Sequence, residues 1–269
     1  MRIVILTHES LYSNLMTERL LRKFPGQVVG IVRSDCLIYG KSFSAGLLYV
    51  LRRTGLRFVG QKALDFFLSR ATAIIFRLID REPKTYSLRD MRTLYHVPVI
   101  GSNSVNSPET MAHLKIWQPN LVISIYLNQP IKRELITLPS KGTINIHPAL
   151  LPRHRGLFPC FWVFAAGETE TGVTIHWVDE KLDTGELLLQ EKITVEPGDT
   201  ITSLFYKSSL VGADMLVKAV NLIAAGNPPR ITQDNREASY HSWPKPADQR
   251  CFRQQGGRYG SIFQLWEYI

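Results

Sequence analysis

A mostly parallel α/β sheet covered by helices on both faces is the fold this sequence predicts, on three observations. The chain opens with a strand, a helix and a second strand; strand signals separated by helical stretches recur as far as His147; and the composition, 45% hydrophobic with 10% aromatic residues, suits one large core. Strands that alternate with helices pair in parallel and are buried on both faces.

The first strand is Arg2 to Leu6, an apolar run that turns polar at Thr7. A helix follows from about Leu11 to Phe24, its apolar positions Leu11, Leu15, Leu20 and Phe24 spaced for one face. Val28 to Val32 is the second strand. The first strand leads into Thr7-His8-Glu9-Ser10 and not into GxGxxG, which speaks against a nicotinamide or flavin enzyme. Further strands are expected at Pro98 to Ile100, Leu121 to Ile125 and Thr143 to His147, with a helix near Pro108 to Trp117. Beyond them, Val173 to Val178 and Leu187 to Val195 read as two strands around a polar loop. A long amphipathic helix runs from about Ile201 to Ala225, ended by Gly226 and Pro228-Pro229. Residues 1–230 are thus expected to form one catalytic domain and residues 231–269 a short carboxyl-terminal extension.

Between these elements, Leu37 to Arg92 interrupts the β-α rhythm with helical, basic sequence. It holds eleven Lys and Arg against four Asp and Glu, so seven of the nine net positive charges of this 269-residue chain lie there. The stretch is expected to be an inserted helical hairpin with a solvated basic face, with a substrate lid or a contact to a membrane surface as alternatives. No apolar run reaches the ~18 residues of a membrane span, and the amino terminus lacks the features of a secretory signal; a cytoplasmic location is expected. Cys36, Cys160 and Cys251 are widely spaced and odd in number, which points to neither a disulfide framework nor a cysteine metal site.

The chemistry is concentrated in GTINIHPALLPRHRG, Gly142 to Gly156. Residues two apart on a strand project from one face, so Asn145 and His147 are presented together, and Pro148 ends the strand. Asp183 follows in the polar loop after the strand that holds His176. A carboxylate, an imidazole and a carboxamide can move a proton while stabilising an oxyanion. His147 would serve as base or acid, with Asp183 fixing its tautomer and stabilising its cationic form, and Asn145 would donate hydrogen bonds. His176 lies on its strand with either the site or solvent before it. Arg153, His154 and Arg155, next to this edge, are candidates to contact an anionic group of a substrate. Phe158, Phe161, Trp162 and Phe164 read as the core face of a short helix.

The runs NIHPALLPRHRG and GETETGVTIHWVDEKLDTGELLLQ resemble the hallmark of the folate-dependent formyltransferases, a family that includes methionyl-tRNA formyltransferase, glycinamide ribonucleotide transformylase and the amino-sugar N-formyltransferases. The resemblance is close over Pro119 to Thr200 and looser from Met1 onward. It implies a Rossmann-like fold with 10-formyltetrahydrofolate as the formyl donor and no metal, and a catalytic triad of Asn145, His147 and Asp183. It further implies a pterin pocket lined by the loop Asn128, Gln129, Pro130 and Ile131, and by the loop of Val178, Asp179, Glu180 and Leu182. Ala149 departs from the family pattern, which usually has Ser there.

The acceptor expected is a small-molecule or carrier-bound primary amine, such as an amino sugar or amino acid, with Met-tRNA as the alternative. A reading from another class is a catalytically silent folate-binding or membrane-surface module. A metallohydrolase using His147, His154 and His176 lacks any recognised ligand spacing. Dimerisation through Phe263, Trp266 and Tyr268 is a further expectation.

Overall fold

In the computed structural model, residues 1–56, 58–60, 63 and 86–260 are described. The aromatic residues 263, 266 and 268 and most of the second half of the basic insertion lie outside them.

The first β-α-β unit is β1 (Ile3–Thr7), α1 (Leu11–Lys23) and β2 (Val28–Ser34). Ser10 caps α1, its hydroxyl accepting from the Ser13 amide. From the insertion come α2 (Phe43–Thr54) and α3 (Leu88–Leu94), capped by Ser42 and Ser87. Then follow β3 (Val99–Ser102), α4 (Pro108–Trp117), β4 (Leu121–Ile125), the short α5 (Arg133–Ile136) and β5 (Thr143–His147). The strands match their expected places to within a few residues.

Among the described residues the main sheet has seven strands in the order β3-β2-β1-β4-β5-β7-β8, where β7 is Glu170–Trp177 and β8 is Leu187–Thr194. The first five strands in that order pair in parallel, whereas β5 with β7 and β7 with β8 pair antiparallel. Alternation along β1 sends Ile3 and Ile5 into one apolar cluster, with α1 and the long helix α7 (Ile201–Ala225), and Val4 and Leu6 into another, with Met111 and Leu114 of α4. The sheet is therefore covered on both faces, as the sequence predicts. By length and mean hydropathy α7 could also cross a membrane, but half of its most apolar stretch is buried within the fold, where it packs as a core helix on α1 and the sheet.

Residues 231–260, which the sequence sets apart as an extension, close onto this unit. A two-residue strand β9 (Tyr240–His241) pairs in parallel with β6 (Arg155–Gly156), just beyond β5. Ile231 exchanges both backbone hydrogen bonds with Leu187 at the start of β8. Phe252, on α8 (Pro246–Gln254), is fully buried and stacks on Phe161 of α6 (Pro159–Ala165), with ring centroids 4.8 Å apart.

Candidate active site

Asn145 and His147 share the sheet face opposite Ile144 and Ile146, which are buried in the core with α1 and α7. His176 is directly across from Asn145 in the β5–β7 register, so its side chain falls on the same face. The loop from Val178 to Glu186 folds over that face and brings Asp183 to it. Three polar side chains from two neighbouring strands and a fourth from the loop between β7 and β8 thus converge, and His147, His176 and Asp183 are all buried.

The hydrogen bonds assign the protons. His147 Nε2 is 2.9 Å from the carbonyl oxygen of His154. A carbonyl only accepts, so in the neutral ring Nε2 carries the hydrogen and Nδ1 is the basic atom. Nδ1 lies 3.8 Å from Asp183 Oδ2. The tautomer expected from Asp183 is therefore set by the His154 main chain instead, and Asp183 is left to act through its charge. His176 Nδ1 is 2.9 Å from the Trp177 carbonyl, which by the same reasoning leaves Nε2 as an acceptor. Asn145 Nδ2 donates to it at 3.1 Å, so the amide turns its NH₂ toward His176 and keeps a second N–H for another partner.

Burial pushes the His147 pKa below its ordinary value, against the charge of Asp183 and the His154 hydrogen bond, both of which raise it. The ring is neutral at neutral pH. For Asp183, burial disfavours ionisation, but the two histidines and the amide of Gly156 outweigh it and bring the carboxyl down to about 2. The Gly156 N–H donates to Asp183 Oδ2 at 2.8 Å. The pair is a neutral base beside a fixed negative charge, able to take up a proton at Nδ1 and hold it.

Asp183 precedes Thr184-Gly185, a pattern common in ordinary turns. Its carboxylate serves no such turn: Thr184 bonds Asp179 instead, and Asp183 adopts a left-handed backbone, φ +54. That conformation is fixed from outside by Gln233, whose Nε2 donates to the carbonyls of Asp183 at 3.0 Å and of Gly185 at 2.7 Å. Gln233 Oε1 in turn accepts from Arg155 Nη2 at 2.7 Å. On the other side, His154 N bonds Ser239 Oγ, Arg155 N bonds the Ser239 carbonyl and Leu157 N bonds the His241 carbonyl. Residues 233–241 thus stitch together the two loops that carry the site. Gln233 was not recognised in the sequence, and His176 was left between the site and solvent. A phase argument placing Asn145 opposite its antiparallel neighbour would have found His176, whereas no local signal marks Gln233.

Two of the residues expected to contact a substrate turn their side chains inward. The Arg155 guanidinium is buried on Gln233 and Asn235, and the His154 ring is buried, bonded to Glu168 at 3.0 Å and stacked on His241. Of the three residues, Arg153 keeps its side chain partly accessible, 3.6 Å from Glu168. Ala149, where a serine was expected, leaves no polar gap: its amide bonds the His147 carbonyl and its carbonyl accepts from Thr174 Oγ1 at 2.6 Å.

Of the residues expected around a pterin, Asn128 and Gln129 have their side chains tied to the end of β2. Asn128 accepts from Ser34 Oγ and donates to the Cys36 carbonyl, while Gln129 donates to Ser34 Oγ and accepts from the Val105 amide. The Pro130 carbonyl accepts from Asn106. Asp179 accepts from Thr184 and from the Lys181 amide. The two loops approach each other at Arg133 and Glu180, 3.5 Å apart. With these polar side chains turned to the scaffold, Ile131, Val178 and Leu182 remain as apolar groups beside the main chain of both loops.

A family model described as formyl transferase matches residues 61–220. This chain belongs to the formyl transferase family. Among its relatives, the methionyl-tRNA formyltransferase of Syntrophus aciditrophicus is 38% identical over 156 residues, covering 58% of this chain and 50% of that protein. The Moorella thermoacetica methionyl-tRNA formyltransferase is 36% identical over 57% of this chain and 49% of its own length. This formyl transferase chain spans about half the length of these relatives. The same fold is found in an N-formyltransferase from Helicobacter canadensis in complex with folinic acid and dTDP-3-aminofucose, with TM-score 0.59 and 19% identity over 90% of this chain and 71% of that one. It recurs in glycinamide ribonucleotide transformylase 1 from Symbiobacterium toebii, with TM-score 0.59 and 17% identity over 86% and 93% of the two chains.

Proposed function

We propose that this chain transfers the formyl group of 10-formyltetrahydrofolate to a primary amine, and that the acceptor is a small-molecule or carrier-bound amine such as an amino sugar or amino acid. The observation that carries the reading is the neutral His147 Nδ1 facing the ionised Asp183, with a free amide hydrogen of Asn145 on the same face.

The loops 128–131 and 178–182 fit the donor. Their polar side chains are engaged within the protein, which leaves main-chain groups and the apolar Ile131, Val178 and Leu182 to receive a flat heteroaromatic ring. When bound, the donor supplies an acyl carbon open to attack by an amine. Asn145 donates its second N–H to the oxygen on which negative charge develops. His147 Nδ1 takes the proton that the attacking amine must lose, and Asp183 stabilises the resulting imidazolium at close range. The proton then goes from Nδ1 to the leaving nitrogen, which returns His147 to its neutral form.

Two of the three basic residues nearest the triad, His154 and Arg155, are turned inward, which favours a compact acceptor over a polyphosphate backbone. Met-tRNA is the second reading, favoured by the relatives at 36 to 38% identity. A panel of amino sugars, amino acids and Met-tRNA incubated with 10-formyltetrahydrofolate, read by mass spectrometry for addition of one formyl group, tests both. Formylation of a small amine that disappears in Asp183→Ala supports the proposal, formylation of Met-tRNA alone replaces it with the second reading, and no product with any amine overturns both.

A further inference from the structure

The amino-terminal helix of the insertion, α2, is held to the body of the protein along one side. Gly46, Val50 and Thr54, four residues apart, are buried, and the Thr54 carbonyl accepts from Gln249 Nε2 of α8. Phe58, just beyond the helix, is 2% exposed and meets Phe158, Trp243 and Tyr259 edge-on. The inner side is thus fully anchored.

Large apolar side chains on and just beyond α2 are nonetheless exposed. Phe43 is 71% exposed, Leu47 40% and Leu48 45%, and Leu56 past the end of the helix is 77% exposed. On a helix of 3.6 residues per turn, Leu47, the half-buried Leu51 and Leu48 span an arc of about 100° with Ser44 within it, and Phe43, in line with Val50 but exposed at the first turn, borders that arc. Lone exposed apolar residues are common on protein surfaces, but a cluster of this kind marks an interaction surface. Its charge identifies the partner. Lys41 and Arg52 are exposed at the two ends of the arc, Lys41 lying over the Tyr49 ring at 5.3 Å, and the sequence contains no carboxylate from Cys36 through Leu64. An apolar surface on a segment that carries cations and no carboxylate suits an anionic lipid surface, where the apolar side chains enter the acyl boundary and the cations meet the headgroups. Nucleic acid would use the cations but would gain little from the solvent-facing aliphatic Leu47, Leu48 and Leu56.

We propose that α2 docks this protein on anionic membrane surfaces. Because the helix is tied through Phe58 to Phe158, two residues from the Gly156 amide that holds Asp183, docking places the catalytic edge close to the bilayer.

Co-sedimentation of the whole chain with vesicles of phosphatidylcholine, alone or mixed with phosphatidylglycerol, at physiological salt tests this. Binding is expected only to the mixed vesicles. Phe43→Asp with Leu47→Asp should weaken it at least about tenfold, and Lys41→Glu with Arg52→Glu should abolish the preference for phosphatidylglycerol. Both positions pairs are solvent-facing and outside the candidate site, so circular dichroism and thermal melts should match the parent chain. Absence of binding to mixed vesicles, or unchanged binding by the Phe43/Leu47 variant, overturns the proposal. So does binding of an unacylated tRNA that the Lys41/Arg52 variant loses and the Phe43/Leu47 variant keeps, if vesicles are not bound.

Discussion

His147 donates Nε2–H to the carbonyl of His154 at 2.9 Å, and this contact decides which ring nitrogen can act as a base. The free Nδ1 faces Asp183, and burial holds the ring neutral. If the neutral ring is the working form, the rate rises as pH increases through the folded pKa of His147. That pKa is depressed, so the acid limb of kcat/KM for formyl transfer should have its midpoint below 6.5, the ordinary value for histidine. A profile of tetrahydrofolate release against pH measures it. A midpoint above 6.5 would show that the His147 pKa is not depressed, and a rate that falls as pH rises through this range would make the protonated ring the working form.

Asp183 should matter for stability as well as for rate. Its folded pKa lies at about 2, below the ordinary 3.8. A depressed carboxyl stabilises the fold above the unfolded pKa, and that contribution disappears as pH falls from about 4 toward 2. The difference corresponds to about 2 kcal/mol. Asp183→Asn should therefore unfold at lower denaturant concentration at pH 7 and lose part of the steep acid destabilisation, and formyl transfer should drop ~10²–10³-fold, the usual order for loss of one electrostatic contribution to an acyl-transfer site. Equal acid unfolding midpoints for the variant and the parent would show that the carboxylate is not held as described.

Much of this fold was legible because parallel strands buried on both faces are short apolar runs bounded by turn residues, and β4, β5 and α7 lie at their expected places for that reason. Asn145 and His147 were legible too, since strand periodicity puts them on one face. What escaped was cooperation across long sequence separations. Gln233 is fifty residues from the Asp183 carbonyl it fixes, and nothing in its neighbourhood distinguishes it from a loop glutamine. Arg155 and His154 are the opposite case. Basic residues beside a catalytic strand look available for an anionic ligand, whereas here their side chains are buried on Gln233, Asn235 and Glu168.

Asn145 and His176 should separate into a group that touches the reacting oxygen and one that orients it. Asn145→Ala removes a hydrogen-bond donor, with an expected fall in kcat of ~10²–10³ and little change in KM. His176→Ala leaves the amide in place but frees it to rotate, so a smaller loss confined to kcat is expected. His176→Gln supplies an oxygen that can accept from Asn145 Nδ2 and should recover part of that loss. Steady-state kinetics on the three variants decide the point, and a His176→Gln rate no better than that of His176→Ala would remove the orienting role.

Gly156 joins the two loops that carry the site. Its amide holds Asp183, its backbone is left-handed at φ +99, and a Cβ would collide with the His241 carbonyl of the paired β9 strand. Gly156→Ala therefore combines backbone strain with forced separation of β6 from β9, for an expected destabilisation of about 2–3 kcal/mol. The displaced amide also weakens its bond to Asp183, so the carboxyl should titrate at higher pH and the rate should fall even in protein that remains folded. Replacement of Gly198, also at positive φ but with only Arg258 near its would-be Cβ, is the control for strain alone. Gly198→Ala should lower the thermal midpoint while leaving the rate of formyl transfer intact. If Gly156→Ala behaves as that control does, the strand pair is a structural closure with no part in placing the carboxylate.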